Sequence, residues 1–158
     1  MAISSITTNY ATRKKDIHIM QGMTVSGTSD ITPSFGKISN FCTGVQKLVQ
    51  RYAITLMTSL GSQENYPEFG TNLMINLNNR RLKLNRADVF ALFNLANAKV
   101  IKEFRLYQAS SDQPDDEMLN TAQLIDVKIT NTGVYLHIKV IPVQATAVEL
   151  ILPLPKTT

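Results

Sequence analysis

The sequence has no tryptophan, a single cysteine and two histidines, and only 7% of its residues are aromatic. Each scarcity removes a class of function. With Cys42 alone the chain can close no disulfide on itself, so a cytosolic place of synthesis is expected. Beside Phe41, on an apolar stripe, Cys42 reads as a packed thiol rather than a nucleophile. A metal centre or catalytic triad needs several convergent His, Cys, Asp or Glu side chains, and neither His18 nor His137 lies in such a cluster. No metal and no cofactor is therefore expected. His137 reads as a surface or partly packed strand residue. Sugar-stacking clefts draw on aromatic side chains, and this chain supplies few. No run approaches the roughly 18 to 20 apolar residues of a membrane span. Met1 to Thr8 lacks the basic start and apolar core of a secretory signal. Phosphate-cradling glycine loops, dinucleotide glycine patterns and the serine nucleophile elbow are also missing.

What is present is enough for one soluble domain with a real core, since 44% of the 158 residues are hydrophobic. The net charge of +4 suits an acidic partner or nucleic acid without selecting either. The organising stretch lies between Ser39 and Leu73. From Asn40 to Thr58, apolar residues at Phe41, Val45, Leu48, Val49, Tyr52, Ala53, Leu56 and Met57 follow the steps of one helix face. A loop then places Gly61, Pro67 and Gly70 around Tyr66 and Phe69. That spacing ends a helix, because proline lacks the donor and glycine invites turn conformations. Gly61, Pro67 and Gly70 are thus assigned to backbone geometry.

Residues 1–36 form a Ser/Thr-rich tract with a basic cluster, Arg13 to Lys15, and a short apolar patch, Ile17 to Met20. It reads as an arm, mobile or laid along something else, and separate from a domain over residues 37–158. The apolar patch could add as a strand to a neighbour's sheet edge. After the loop, Leu73 to Leu77 is a short strand or one helical turn. Asn85 and Asp88 open a second helix running to about Arg105, with Val89, Leu92, Phe93, Ala96, Val100, Ile101 and Phe104 on its apolar face. Three strand candidates end the chain: Thr121 to Thr130, Val134 to Val143 and Ala147 to Leu154. The first turn, Asn131 to Gly133, offers Gly133 for a positive φ. Leu124 and Asp126 fall on one side of the first strand and Ile125 and Val127 on the other. The expected fold class is α+β, with two packed amphipathic helices and a C-terminal three-stranded antiparallel meander.

The carboxylates invite an enzymatic reading, because Glu68 and the Asp115-Asp116-Glu117 run could flank a glycosidic bond. Acidic residues around Pro114 read more simply as a solvated loop. Arg80, Arg81, Lys83 and Arg86 could meet phosphates, yet they lack interleaved aromatics and read as a solvated patch or protein contact.

The run Gln50 to Thr58, the step Leu60-Gly61-Ser62 and the loop Tyr66 to Leu73 together resemble the small baseplate wedge protein of bacteriophage tails, a family shared with type VI secretion baseplates. The likeness covers about residues 38–154 and extends to the acidic Pro114 to Glu117 loop and the terminal meander. One departure stands at the end of the second helix. Many family members carry Glu-Pro-Arg there, where this chain has Glu103, Phe104 and Arg105. The resemblance implies a non-catalytic subunit, assembled in the host cytoplasm and resident in the virion tail. Its partners would be other wedge proteins, the tail tube or hub and, in a contractile tail, the sheath, whose polymerisation it would start by accepting strands. A ring of about six copies is implied, with neither membrane nor nucleic acid as partner. Tyr66, Glu68, Phe69, Glu103 and Arg105 are the implied partner contacts, although Tyr66 and Phe69 could equally plug the protein's own core. Lysozyme activity has been attached to this family, and no residue pattern here supports it.

Overall fold

The computed structural model describes residues 13–17, 19–21, 24–25, 28–30, 32–33, 41–79 and 85–155. Within them run β1 (Asp16–Ile17), β2 (Met20–Gln21), β3 (Thr24–Val25), β4 (Thr28–Asp30), β5 (Thr32–Pro33), β6 (Phe41–Cys42), α1 (Gly44–Met57), α2 (Leu73–Asn79), α3 (Arg86–Ala109), β7 (Leu119–Ile129), β8 (Gly133–Pro142) and β9 (Val148–Pro155). The fold is α+β, and β7, β8 and β9 form the antiparallel meander. Arg80, Arg81, Lys83 and His18 lie outside the described residues.

The core is built where the sequence periods meet. Leu48, Tyr52 and Leu56 of α1, Val89, Phe93 and Val100 of α3, and Leu136, Ile138 and Val140 of β8 are all fully buried. Helix α3 lies on β7, and α1 meets α3 through the edge of Tyr52 against Phe104, with ring centroids 6.5 Å apart. A buried polar relay ties these layers together. The Tyr52 hydroxyl donates to Asn97 Oδ1 at 2.7 Å, and Asn97 Nδ2 donates to the Ala122 carbonyl at 2.8 Å. Burial pushes the Tyr52 phenol far above its ordinary range, so it stays a neutral donor. Asn97→Leu should therefore destabilise the fold by about 1–3 kcal/mol, leaving a buried hydroxyl and carbonyl unpaired. Tyr52→Phe should cost less than Asn97→Leu in urea unfolding. The reverse order would make the relay unimportant.

Four local features differ from the sequence reading. Helix α1 starts at Gly44, not near Asn40, because Phe41 and Cys42 pair with β1 (Ile17 opposite Phe41, Asp16 opposite Cys42). Phe41 thereby leaves the helix stripe and is 61% exposed, while Cys42 is buried. Burial, then the charge of Asp16, pushes the Cys42 thiol up, which keeps it protonated and a poor nucleophile. Second, α3 extends to Ala109, past the expected end near Arg105, while Leu73 to Leu77 takes the helical one of its two expected forms, as part of α2. Asn85 caps α3 as its type suggests, accepting the Asp88 amide at 2.8 Å. Third, β7 carries a bulge. Leu124 pairs with Ile138, but the next pair is Asp126 with His137, so Ile125 is the extra residue and is 41% exposed. The bulge shifts the alternation: Ala122 before it and Val127 after it are buried, and one strand cannot do that without an added residue. Fourth, Gly133 does not take a positive φ. The turn is closed by Thr130, whose amide donates to the Gly133 carbonyl (2.9 Å) and whose hydroxyl accepts the Gly133 amide (3.1 Å).

The described parts of the arm lie on the chain's own body. The β2–β5 and β3–β4 ladders share one antiparallel register. Strand β4 also pairs in parallel with β9 at Glu149 to Ile151, giving a five-stranded sheet in the order β3-β4-β9-β8-β7. The edge of β9 is therefore occupied over Glu149 to Ile151, and β7 is the outer strand on the opposite side.

The root of the arm is held by charge. Glu117, placed in a short 3-10 turn over Asp115–Glu117, is 2% exposed and not part of a solvated loop. Its Oε1 accepts the Gly44 amide at 3.0 Å and its Oε2 accepts Lys47 Nζ at 2.8 Å. Lys47 also donates to the Lys14 carbonyl (2.9 Å), and Arg13 donates to both oxygens of Asp116 (2.8 and 2.9 Å). Gln50 completes the clip, accepting the Ile19 amide and donating to the Ile17 carbonyl. Thr43, at the N-cap, makes no side-chain cap bond, and Glu117 satisfies the first free amide in its place.

Candidate functional site

The loop between α1 and α2 is built on backbone bonds. The Leu60 amide donates to the Thr71 carbonyl (3.0 Å), Thr71 to Thr58 (2.8 Å), Gly61 to Pro67 (3.0 Å) and Phe69 to Tyr66 (3.0 Å). The buried Thr71 hydroxyl donates to the Leu56 carbonyl and accepts the Leu73 amide, which joins the loop's end to the start of α2. Gly70, at φ +94°, passes so close to the end of α1 that a Cβ would sit 2.4 Å from the Thr58 carbonyl oxygen. Gly61, at φ +78°, has open space around it. Only the dihedral requires glycine at Gly61, whereas at Gly70 the dihedral and the contact both do. Gly70→Ala should lower stability by about 3 kcal/mol or more and Gly61→Ala by about 1–2 kcal/mol in urea unfolding. Equal losses would mean the close approach is absorbed elsewhere.

Opposite this loop, the C-terminal halves of α1 and α3 leave a groove of about 690 Å³. Its rim is apolar and open: Tyr66 is 70% exposed, Leu106 65% and Tyr107 50%. Ile54, Phe69 and Phe104 line it more deeply buried. Exposed aromatic and aliphatic side chains gathered at a concave site are a common mark of protein docking. Tyr66 therefore does not plug the core, and Phe69 is half-buried at the groove.

Charged groups hold the walls. Lys99 Nζ donates to the carbonyls of Glu68 (2.7 Å) and Gly70 (2.6 Å), fastening the loop to α3. The same ammonium lies 3.1 Å from Glu103 Oε1, although neither covered oxygen of Glu103 receives a well-directed hydrogen bond. The contact balances charge without satisfying the carboxylate's acceptor capacity. The Arg51 guanidinium sits 4.7 Å from the Tyr107 ring centroid and 5.5 Å from that of Phe104, a cation–π arrangement that stiffens the wall.

Four of the five expected contact residues, Tyr66, Glu68, Phe69 and Glu103, thus meet at one groove, and Pro67 lines it with them. Arg105 does not line it and is exposed, because residues two apart on a helix face different ways. Sequence reading missed Arg51, Lys99, Leu106 and Tyr107. The steps of four from Lys99 to Glu103 to Tyr107 marked one α3 face, but nothing in the sequence said that the loop would lie over it.

Elsewhere, two of the carboxylates suggested for glycosidic chemistry are committed to structure, Glu117 to Gly44 and Lys47 and Asp116 to Arg13. Arg86 pairs with Asp126 and stacks on Phe90 at 5.7 Å. His137 Nε2 lies 3.0 Å from Glu149 Oε2. Among the described residues no group of three or more His, Cys, Asp or Glu could hold a metal ion, and no helix is long and apolar enough to cross a membrane. Compared with protein-family models, curated proteins and solved structures, the chain matches none.

Proposed function

We propose that this chain is a structural subunit of a phage tail baseplate wedge, acting by docking other wedge proteins and not by catalysis. A type VI secretion baseplate component is the near alternative, since the loop motif is common to both. The observation that carries the reading is the groove. The loop residues on which the resemblance rests, Tyr66 to Gly70, stand against α3 with an exposed aromatic rim, beside the Glu103 that the resemblance implicates. In this reading the virion tail is the site of action, and neighbouring wedge proteins, the tail tube or hub, and the sheath are the partners. Strand acceptance from a sheath would use β7, because β4 already pairs with β9. Ring closure with about six copies follows from tail symmetry in the same reading.

The test is recovery of the tagged chain from phage-infected or secretion-active cells, with its companions identified by mass spectrometry. Wedge, tube or sheath proteins should come with it. A monomer that hydrolyses peptidoglycan, with activity lost in Glu68→Gln, would replace the proposal with a glycosidase. A steeply salt-dependent affinity for DNA would replace it with a nucleic-acid module.

A further inference from the structure

The charges around the groove are unequal. Lys99 is balanced by Glu103, but Arg51, Lys102 and Arg105 have no carboxylate partner among the described residues. Arg51 and Lys102 line the groove, and Arg105 lies three residues on from Lys102, next to the rim residue Leu106. Against the two lining cations, Arg51 and Lys102, stands one unpaired carboxylate, the exposed Glu68, whose backbone carbonyl rather than side chain takes Lys99. A docked partner would lower the local dielectric and strengthen whatever charges face each other across the interface. An occupant with basic side chains would bury cation against cation. One with acidic side chains would find Arg51 and Lys102 as donors, of which Arg51 is already oriented by its two rings and would lose little freedom on binding.

We infer that the groove takes an acidic, apolar peptide segment of a partner protein, its apolar side chains lying among Ile54, Tyr66, Phe69 and Tyr107 and its carboxylates meeting Arg51 and Lys102. This rests on the docking reading proposed above and adds the chemistry of the occupant. Specificity follows from the same residues. The apolar rim accepts many hydrophobic sequences, and the unpaired cations reject basic ones by repulsion.

The experiment is the panning of a random peptide library against the full chain at low ionic strength, with counter-selection on Tyr66→Ala to keep only binders at the groove. The recovered peptides should be enriched in Asp and Glu together with large apolar residues. The double variant Lys102→Glu, Arg105→Glu, both exposed and without ion pairs among the described residues, should bind them about tenfold more weakly, and rising salt should narrow that gap. Recovered peptides that are basic or neutral, or whose affinity the double variant leaves unchanged, overturn the inference while leaving groove docking intact. Recovery of no peptide sensitive to Tyr66→Ala overturns the inference. If Tyr66→Ala also leaves the set of co-purified tail proteins unchanged, the docking reading itself fails.

Discussion

Lys47→Met should destabilise the protein by about 3–5 kcal/mol in urea unfolding, the loss characteristic of removing one partner from a buried ion pair. Lys47 and Glu117 are respectively 8% and 2% exposed and meet at 2.8 Å. Without the ammonium, Glu117 would keep the Gly44 amide but, among the described residues, face only Arg13, at 4.0 Å, as a cation. Methionine fills similar space, so the loss reads charge and hydrogen bonding more than packing. The change also frees the Lys14 carbonyl, so trypsin should cut faster after Arg13 and Lys14 than in the unaltered protein. Glu117→Leu alone should be similarly harmful, because it orphans Lys47 and the first amide of α1. The double variant should recover part of the combined loss, with a coupling of about 1–3 kcal/mol. Strict additivity would show that the pair contributes nothing as a pair, and unchanged proteolysis would detach the arm's root from it.

That ion pair marks the boundary of what local sequence could tell. The faces of α3 and β8 were legible residue by residue: Val89, Phe93 and Val100, or Val134, Leu136, Ile138 and Val140, repeat at the period of their element and are buried as that period requires. Asn85 was legible for the same reason, since a cap acts three residues away. Glu117 was not. It caps a helix that begins 73 residues earlier, and its acidic neighbours and Pro114 carried every local sign of a solvated loop. The bulge at Ile125 was equally hidden, because its cause is the register of β8 and not the composition of β7. At the groove, the loop's glycines and aromatics could be picked out by type, but the wall they face could not. Lys99, Arg51 and Tyr107 have ordinary helical identities. Only the fold, by laying the loop across α3 through Lys99 and the Glu68 and Gly70 carbonyls, makes them one site.

The second large effect is expected at that site and should leave stability alone. Tyr66→Ala should weaken partner capture by about 2–4 kcal/mol, a loss of roughly 30-fold to nearly 1,000-fold in affinity, as truncation of an aromatic anchor at the centre of an interface does. With 70% of its surface exposed, Tyr66 contributes little burial to the free protein, so its removal should change the unfolding midpoint by less than about 0.5 kcal/mol equivalent. Its amide and carbonyl, which bond to Gln63 and Phe69, are untouched by the substitution. Phe69→Ala makes the control. Half-buried at the groove, Phe69 should lose binding and stability together, because its ring serves the loop and the surface at once. Under the proposed tail role, this separation should appear in cells as normal amounts of a soluble Tyr66→Ala chain that is missing from tails. A Tyr66→Ala chain that assembles as before would place the partner surface elsewhere on the fold, the outer strand β7 first. One that unfolds instead would make the loop part of the core despite its exposure.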